Sequence, residues 1–321
     1  MDKNNLIIYV SSRNNYDMLE NEVLKINFEG FEFINVDDKS STDEIEKGKR
    51  ICKANGVVFL ENKSRGVQMA TQTLIDFINE KRPYCKWIIC FQHDIKPITK
   101  EFFSRISKII KDGKIDDFGA IGFNVLDNGK YTGNSLSVFE KGEQPAGMLG
   151  LCHLSKLAPS QRWISVKHNP KLLKKYENIK EPFLIDFPMW AAIGINVKIW
   201  NNVIVATTDY HFHLWFPDIA MQLNKNNKPL VVFPRLYCFN QQHIKEKYGI
   251  PNNSAHSAKK GNDYHFGEWG PHFENFKKRW GWDYENVEKT FPLDKYKNTL
   301  IEELFKHDPY SGPLKIYKIE Y

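Results

Sequence analysis

Between residues 6 and 125, short apolar runs alternate with longer segments whose apolar residues recur at helical spacing. The runs lie at 6–10, 31–36, 57–60, 87–91 and 118–125, and the helical segments lie at 16–26, 42–54, 66–80 and 99–111. Strands separated by helices of this length are typical of a parallel sheet with helices on both faces. The sequence therefore predicts an α/β fold with a mostly parallel central sheet.

The regular pattern fades after residue 125. Shorter apolar runs follow, with a predicted helix over 211–224, a predicted strand at 230–233 and a predicted helix near 297–306. The Gly-containing stretch HFGEWGPHF at 265–273 predicts a loop. We expect one domain over 1–250, with halves 1–125 and 126–250, and an extension over 251–321.

Composition excludes several classes of protein. With 41% hydrophobic and 26% charged residues in 321, the chain is long and apolar enough to bury a large core. Its five cysteines form no C-x-x-C pair, which argues against a disulfide scaffold or a zinc knuckle and favours a reducing compartment. The net charge of +6 is dispersed, so we expect no nucleic-acid partner. Without a signal-peptide pattern or a long apolar span, a cytoplasmic location is predicted.

Polar residues follow four consecutive predicted strands. They are Ser-Ser-Arg-Asn at 11–14, Asp-Asp at 37–38, Asn-Lys-Ser-Arg-Gly at 62–66 and Gln-His-Asp at 92–94. In open α/β sheets, ligands bind at the carboxyl ends of the strands. We therefore expect these four stretches to converge on one binding rim.

The rim lacks a glycine-rich phosphate loop. Neither G-x-G-x-x-G nor G-x-x-x-x-G-K-[ST] occurs, so a bound phosphate would need another source of positive charge, such as Mg²⁺ or Mn²⁺. Asp94, which we expect to be exposed at a strand end, suits such a cation. A simple turn at Asp94, and a turn with a helix cap at 37–38, remain open as alternatives.

Four stretches together resemble the GT-A glycosyltransferases, family-2-like. They are INVDDKSSTDE (34–44), ENKSRGVQMATQTLIDF (61–77), WIICFQHDIKP (87–97) and DYHFHLWFPDIAMQL (209–223). The resemblance covers about residues 5–245 and implies a GT-A fold, with a nucleotide-binding half over 1–125 and an acceptor half over 126–250. It implies metal-dependent, inverting transfer of a sugar to a glycan or glycolipid acceptor, as in polysaccharide biosynthesis. A UDP-sugar donor is favoured, and peripheral contact with a membrane is compatible with the basic charge.

The resemblance also implies roles for individual residues. The metal ligands, for Mn²⁺ or Mg²⁺, would be Asp94 and His243, with His256 as the alternative. Asp218 would be the general base that takes the proton of the acceptor hydroxyl. The nucleotide-binding residues would be Ser11, Arg13, Asp37, Asp38, Arg65 and His93.

The sequence departs from the family pattern in three places. Pro217 replaces the acid that usually precedes the base, and the second motif has Arg65-Gly66 and Gln72 where the commonest forms have Gly and Asn. The third departure, the single carboxylate in the stretch 92–94, keeps a second function open. A catalytically inactive GT-A module that binds a nucleotide-sugar or a partner protein is therefore the alternative. A nucleotidyltransferase is less favoured, because the residues after the first strand lack glycines. The scattered histidines have no spacing that supports a zinc site.

Overall fold

The computed structural model describes residues 3–127, 151–155, 157, 164–166, 169–176, 178–188, 191–211, 214–241, 244–249, 269–283 and 287–321. The strands are β1 Leu6–Ser12, β2 Glu32–Asp37, β3 Val58–Glu61, β4 Trp87–Phe91, β5 Ile95–Pro97, β6 Ala120–Asp127, β7 Cys152–His153, β8 Ile164–Ser165, β9 Phe183–Leu184, β10 Ala192–Asn196 and β11 Leu230–Asn240. The helices are α1 Tyr16–Asn21, α2 Thr42–Ala54, α3 Val67–Lys81, α4 Phe102–Lys111, α5 Pro170–Tyr176, α6 Val197–Val203, α7 Trp215–Lys225, α8 Ile244–Lys247, α9 Trp269–Trp280, α10 Val287–Thr290 and α11 Leu300–Lys306.

The main sheet has the strand order β3-β2-β1-β4-β10-β6-β11-β5, and β9 pairs with the first part of β11. Strands β3, β2, β1 and β4 are parallel neighbours, as are β6 and β11. Strand β10 runs antiparallel between β4 and β6, and β5 runs antiparallel to β11. The α/β class predicted from the sequence is confirmed. The antiparallel strands β9 and β10 lie in the half where the regular pattern fades, whereas the antiparallel β5 lies in the first half, shortly after β4.

The ends of the first three strands are in register. Ser12 pairs with Asp37, and Asp37 pairs with Glu61. Parallel strands therefore finish in one row, and the residues that follow them lie along the same edge of the sheet.

Two hydrophobic layers cover the sheet because alternate strand residues point to opposite faces. Ile8 and Val10 of β1 belong to the layer that includes residues of α1, α2 and α4. Ile7 and Tyr9 belong to the layer that includes residues of α3 and α7. The C-terminal helices contribute to this second layer through Phe276, Trp280, Ile301 and Phe305, and Trp282, which follows α9, also belongs to it. The predicted boundary at 250–251 lies outside the described residues.

Strand β11 is longer than the predicted strand at 230–233. Its register on β6 shifts between Phe233 and Tyr237, where Pro234 interrupts the chain. Because a proline has no N–H to donate to a neighbouring strand, the sequence predicts that the strand ends before Pro234. In the structure, a bulge accommodates the proline and the strand continues. None of the helices described is long and apolar enough to cross a membrane.

Candidate functional site

Asp37 at the end of β2 is held by its own chain. It is 1% exposed, and its Oδ1 accepts a hydrogen bond of 2.6 Å from the hydroxyl of Tyr16. Its Oδ2 accepts from the backbone N–H of Ser40 at 3.1 Å. Burial, followed by the charge of Asp37, raises the pKa of Tyr16, so the hydroxyl stays protonated and donates. The carboxylate of Asp37 is therefore directed toward α1.

Asp38 is held from the other direction, by the loop before α3. Its Oδ1 accepts from Asn62 Nδ2 at 2.8 Å and from the N–H of Gly66 at 2.7 Å. Burial raises the pKa of Asp38, while these donors and the nearby charges of Arg13 and Arg65 oppose that rise. Of the two adjacent carboxylates, Asp38 is thus the one associated with the predicted arginines.

The position of Gly66, between Asp38 and the segment at 210–211, suits a residue without a side chain. Its φ is +118°, a conformation that L-residues rarely adopt, and an added Cβ would lie 3.1 Å from the backbone oxygen of Tyr210. The N–H of Val67 donates to the backbone oxygen of His211 at 2.9 Å. The segment at 210–211 therefore packs against the start of α3, on the residues next to the end of β2.

A buried chain of hydrogen bonds connects His93 with Asp37. A carboxylate only accepts, so the Tyr16 hydroxyl gives its proton to Asp37 and can accept from Asn35 Nδ2 at 3.5 Å. The hydroxyl of Ser12 donates to Asn35 Oδ1. Ser12 Oγ then accepts from His93 Nε2 at 2.9 Å. Neutral His93 therefore carries its proton on Nε2 and its lone pair on Nδ1.

Sequence reasoning named Ser11, but the hydrogen-bonded serine is Ser12. Ser11 is half-buried, whereas Ser12 is buried with Leu6, Ile8 and Val10 on one face of β1. The alternation of β1 is the signal that could have distinguished the two serines, because Ser12 falls on the same face as Leu6, Ile8 and Val10, the face that packs with α1, α2 and α4. Tyr16 and Asn35 were also missed, since their partners are fixed only by the fold. Asn62 was included in the predicted rim but was given no role of its own.

The predicted arginines lie near Asp38. A terminal nitrogen of Arg13 donates to the backbone oxygen of Asp38 at 3.4 Å, and both Arg13 and Arg65 are half-buried. Together they bring positive charge to the ends of β1 and β3, where the sequence has no glycine-rich loop. This charge suits an anionic group such as a phosphate.

Asp94 is buried, with 2% exposure, so the expectation that it is exposed is wrong. The turn at 92–94 is held between two strands: the N–H of Gln92 donates to the oxygen of Ala191 at 2.9 Å, and the N–H of Gln241 donates to the oxygen of Asp94 at 2.7 Å. These contacts bring the ends of β4 and β11 together. The strand β11, which precedes the predicted ligand His243 in the sequence, therefore ends beside Asp94.

The metal site stays a prediction. Among the described residues, no group of three or more His, Cys, Asp or Glu is arranged to hold a metal ion. His243 and His256 lie outside the described residues. Asp94 supplies a single carboxylate, which matches the way Mg²⁺ binds when substrate phosphates and water complete its shell.

Asp218, the predicted base, lies on α7 with 0% exposure. Its Oδ2 accepts from Gln68 at 3.0 Å and Gln222 at 2.9 Å, and Arg279 lies 3.3 Å from the same oxygen. Its Oδ1 accepts from the indole N–H of Trp280 at 2.8 Å. Burial raises the pKa of Asp218, and Arg279 and the three hydrogen-bond donors oppose this rise.

Beside the end of β1, a cavity of about 420 Å³ opens to solvent. It is lined by polar and charged side chains from α1, α2 and the segment after β11: Asn14, Asn15, Asp17, Asn21, Glu44, Lys247 and Tyr248, with Met18. Lys247 and Tyr248 both donate to Glu22, at 3.1 and 2.7 Å, which fixes this segment on α1. The cavity is lined by Asn14, the residue that follows Arg13 in the chain, and has the size of a small-molecule site.

No protein-family model matches the chain, and no curated protein matches it. Among solved structures, the chain is similar to GalNAc-T7 crystallised with UDP, GalNAc and Mn²⁺, at 12% identity and a TM-score of 0.46, covering 73% of this chain and 43% of that one. It is also similar to the mannosyltransferase PcManGT from Pyrobaculum calidifontis in complex with GDP-Man and Mn²⁺, at 11% identity and a TM-score of 0.45, covering 85% and 64%. The chain spans less than two thirds of either protein.

Proposed function

We propose that this protein is a GT-A glycosyltransferase that transfers a sugar from a nucleotide-sugar to a glycan or glycolipid acceptor. The observation that carries the proposal is the rim at the ends of β1, β2 and β4. There the motifs that resemble the family provide Arg13, Asp38, His93 and Asp94 in the expected order. A UDP-sugar donor and peripheral contact with a membrane are part of the proposal.

Donor binding would use the charges of the rim. Asp38 would accept from the nucleoside, and the guanidinium groups of Arg13 and Arg65 would face the diphosphate. His93 is oriented by Ser12, so its Nδ1 lone pair has a defined direction. Asp94, with His243 as the predicted second ligand, would hold Mn²⁺ or Mg²⁺. When bound, the ion would act as a Lewis acid on the leaving diphosphate.

Inverting transfer needs a base for the proton of the acceptor hydroxyl. The resemblance puts forward Asp218, which contacts Gln68, Gln222, Trp280 and Arg279. A base must lie within hydrogen-bond reach of the proton it removes. Asp218 could therefore take this role only after some of these contacts separate.

The burial of Asp218 favours one alternative, a catalytically inactive module that binds a nucleotide-sugar or a partner protein. Such a module would keep the donor site and lack turnover. Loss of nucleotide binding in Asp38→Ala, together with the absence of donor hydrolysis or transfer by the wild type under any donor, would support it.

The proposal is tested by thermal unfolding with a panel of nucleoside diphosphates, with and without Mn²⁺. A ligand at about 100 times its Kd should add roughly 2.7 kcal/mol to the free energy of unfolding. We expect one nucleotide, UDP in the first place, to stabilise the wild type only with Mn²⁺. Asp94→Ala should lose this response, because the carboxylate that links metal and diphosphate is gone.

The matched control is Asp294→Ala, which removes a carboxylate whose side chain is 93% exposed. It should keep the full response to nucleotide and metal. If no diphosphate shifts the unfolding of the wild type, the glycosyltransferase proposal fails. If a nucleotide acts equally without Mn²⁺ and on Asp94→Ala, the donor site stands but the metal role of Asp94 does not.

A further inference from the structure

Asp218 joins three helices that are far apart in the sequence. It lies in the first turn of α7, Gln68 lies in the first turn of α3, and Trp280 and Arg279 form the end of α9. All of these side chains meet at one carboxylate, with donor distances between 2.8 and 3.3 Å. We call Asp218, Gln68, Gln222, Arg279 and Trp280 the carboxylate junction.

The junction also holds the segment at 205–207. Gln68 Oε1 accepts from the N–H of Thr207 at 3.0 Å, and Gln222 Oε1 accepts from the N–H of Val205 at 2.8 Å. Arg279 donates to the backbone oxygen of Val205 at 3.1 Å. Each amide side chain thus accepts from the segment while it donates to Asp218, so the contacts depend on one another.

Gln68 lies close in the chain to a residue that contacts Asp38, the predicted nucleotide-binding carboxylate. Gln68 is two residues from Gly66, whose N–H donates to Asp38 at 2.7 Å. The backbone of Tyr210 lies so close to Gly66 that not even a Cβ fits without a shift. A displacement of the first turn of α3 would therefore move a donor of Asp38.

The burial of Asp218 is compatible with a structural role but hinders a role as a base, because a base must be reached by the acceptor hydroxyl. A buried carboxylate is stable only when its oxygens accept hydrogen bonds or meet a counter-charge, and here both oxygens do. Because Asp218 is 0% exposed, an acceptor hydroxyl could reach it only if one of the side chains around it moved. The movement of that side chain would leave another buried group without its partner.

We propose that Asp218 is a positioning residue that ties α9 to the first turn of α3 and thereby holds Gly66 and Asp38 in the geometry that binds the nucleotide. The ligand side of this inference rests on the proposed function. The junction itself does not, because it is defined by contacts within the chain. It makes residues 279–280, far along the chain, part of the support of the donor site.

The test compares Asp218→Asn, Trp280→Phe and the double variant. Asparagine accepts at one atom and donates at the other, so Asp218→Asn loses the donors of one carboxylate oxygen, and Trp280→Phe removes the indole N–H that donates to Asp218. We expect each single variant to bind UDP with Mn²⁺ about tenfold more weakly by calorimetry, a change within the coupling range of contacting residues. The double variant should be no weaker than the weaker single variant.

A base that acts only on the reacting proton gives a different pattern. Asp218→Asn would then abolish turnover while the nucleotide Kd and the urea midpoint stay at wild-type values, and Trp280→Phe would leave turnover unchanged. This result would overturn the positioning role. The KM for the donor and kcat, measured together, separate the two cases, because loss of positioning raises KM.

Trp282→Phe is the matched control for lost volume. Trp282 is buried against Phe276 and Phe291 and is not among the donors to Asp218. It should lower the urea midpoint without changing the nucleotide Kd. Arg279→Lys, which keeps a positive charge near Asp218, should retain more affinity than Arg279→Met.

Failure of the proposed function is recognised separately. If the wild type binds no nucleoside diphosphate, the proposed function fails. The urea midpoints of the variants then show whether the carboxylate junction stabilises the fold. Non-additive midpoints in Asp218→Asn and Trp280→Phe support the tie between α9 and α7, whereas additive midpoints overturn it.

Discussion

At the scale of single residues, the two adjacent carboxylates at the end of β2 have separate environments. Asp37 accepts from Tyr16, which belongs to the layer under α1, while Asp38 accepts from Gly66 at the start of α3. Neighbouring side chains of a strand point to opposite faces of the sheet, so the adjacent Asp37 and Asp38 have different partners although they form one sequence motif. Asp37 orders the core polar chain, and Asp38 faces the predicted arginines.

Tyr16→Phe should destabilise the protein, by about 1–3 kcal/mol in urea unfolding, because Oδ1 of the buried Asp37 loses the donor that contacts it. Tyr210→Phe is the control. Tyr210 is equally buried, and its hydroxyl has no hydrogen-bond partner among the described residues, so its removal should be neutral or stabilising. Equal losses in the two variants would contradict the role of the Tyr16–Asp37 contact.

The hydrogen-bond chain from Asp37 also predicts the proton position of His93. In long-range ¹H–¹⁵N spectra, the neutral ring should show its proton on Nε2, with assignment by His93→Gln. Ser12→Ala removes the acceptor at 2.9 Å and should allow a mixture of tautomers. A ring that carries its proton on Nδ1 in the wild type would show that the chain runs in the opposite direction.

At the scale of elements, the bounds of single helices and strands could be predicted from the sequence, whereas the direction in which one strand pairs with another could not. The helix predicted at 42–54 and the strand predicted at 87–91 have these bounds in the structure. Helical period and end signals are local, so the sequence contains them. The antiparallel direction of β10 depends on β4 and β6 beside it, and no local signal carries it.

The loop predicted at 265–273 is wrong for its last residues, which begin α9 at Trp269. Pro271 lies in the first turn, where the absence of an N–H costs little. Phe276 and Trp280 then lie four residues apart on the face that packs into the core. Glycine and proline were interpreted as loop signals here, although both are compatible with the start of a helix.

Gly48→Ala in α2 should destabilise the protein, although alanine is ordinarily favoured over glycine in a helix by about 1 kcal/mol. The new Cβ would lie 2.4 Å from the ring of Tyr16 and 2.9 Å from that of Phe59. Such overpacking typically costs about 1–3 kcal/mol, which should exceed the gain in helix propensity. Urea unfolding checks this, with the exposed Lys53→Ala on the same helix expected to stay within about 0.5 kcal/mol.

At the scale of the whole molecule, the C-terminal helices and the central sheet share one hydrophobic layer. Phe276, Trp282 and Phe305 pack in the same cluster as Ile7 and Ile88 of the sheet. The rim could be predicted from the sequence, because each strand end is marked by its own polar residues. The enclosure of Asp218 could not, because Arg279 and Trp280 lie some sixty residues further along the chain and nothing in the sequence pairs them.

The shared layer predicts that the helices α9 and α11 unfold together with the sheet. Circular dichroism, which reports all helices, and tryptophan fluorescence should give coincident urea transitions, because exposing one side of the layer exposes the other. Two separate transitions, with the C-terminal helices lost first, would instead support an independent unit beyond the predicted boundary at 250–251.

The outermost strands of the main sheet offer little to a neighbouring chain. Strand β3 has four residues, and Glu61 at its end forms an ion pair of 2.9 Å with Lys49. On the other side, β11 is covered by the short strands β9 and β5, and β5 ends in Pro97, which has no N–H to donate. Short, charged or proline-bearing margins resist the edge-to-edge pairing that begins aggregation. Self-association by strand addition at these margins is therefore disfavoured.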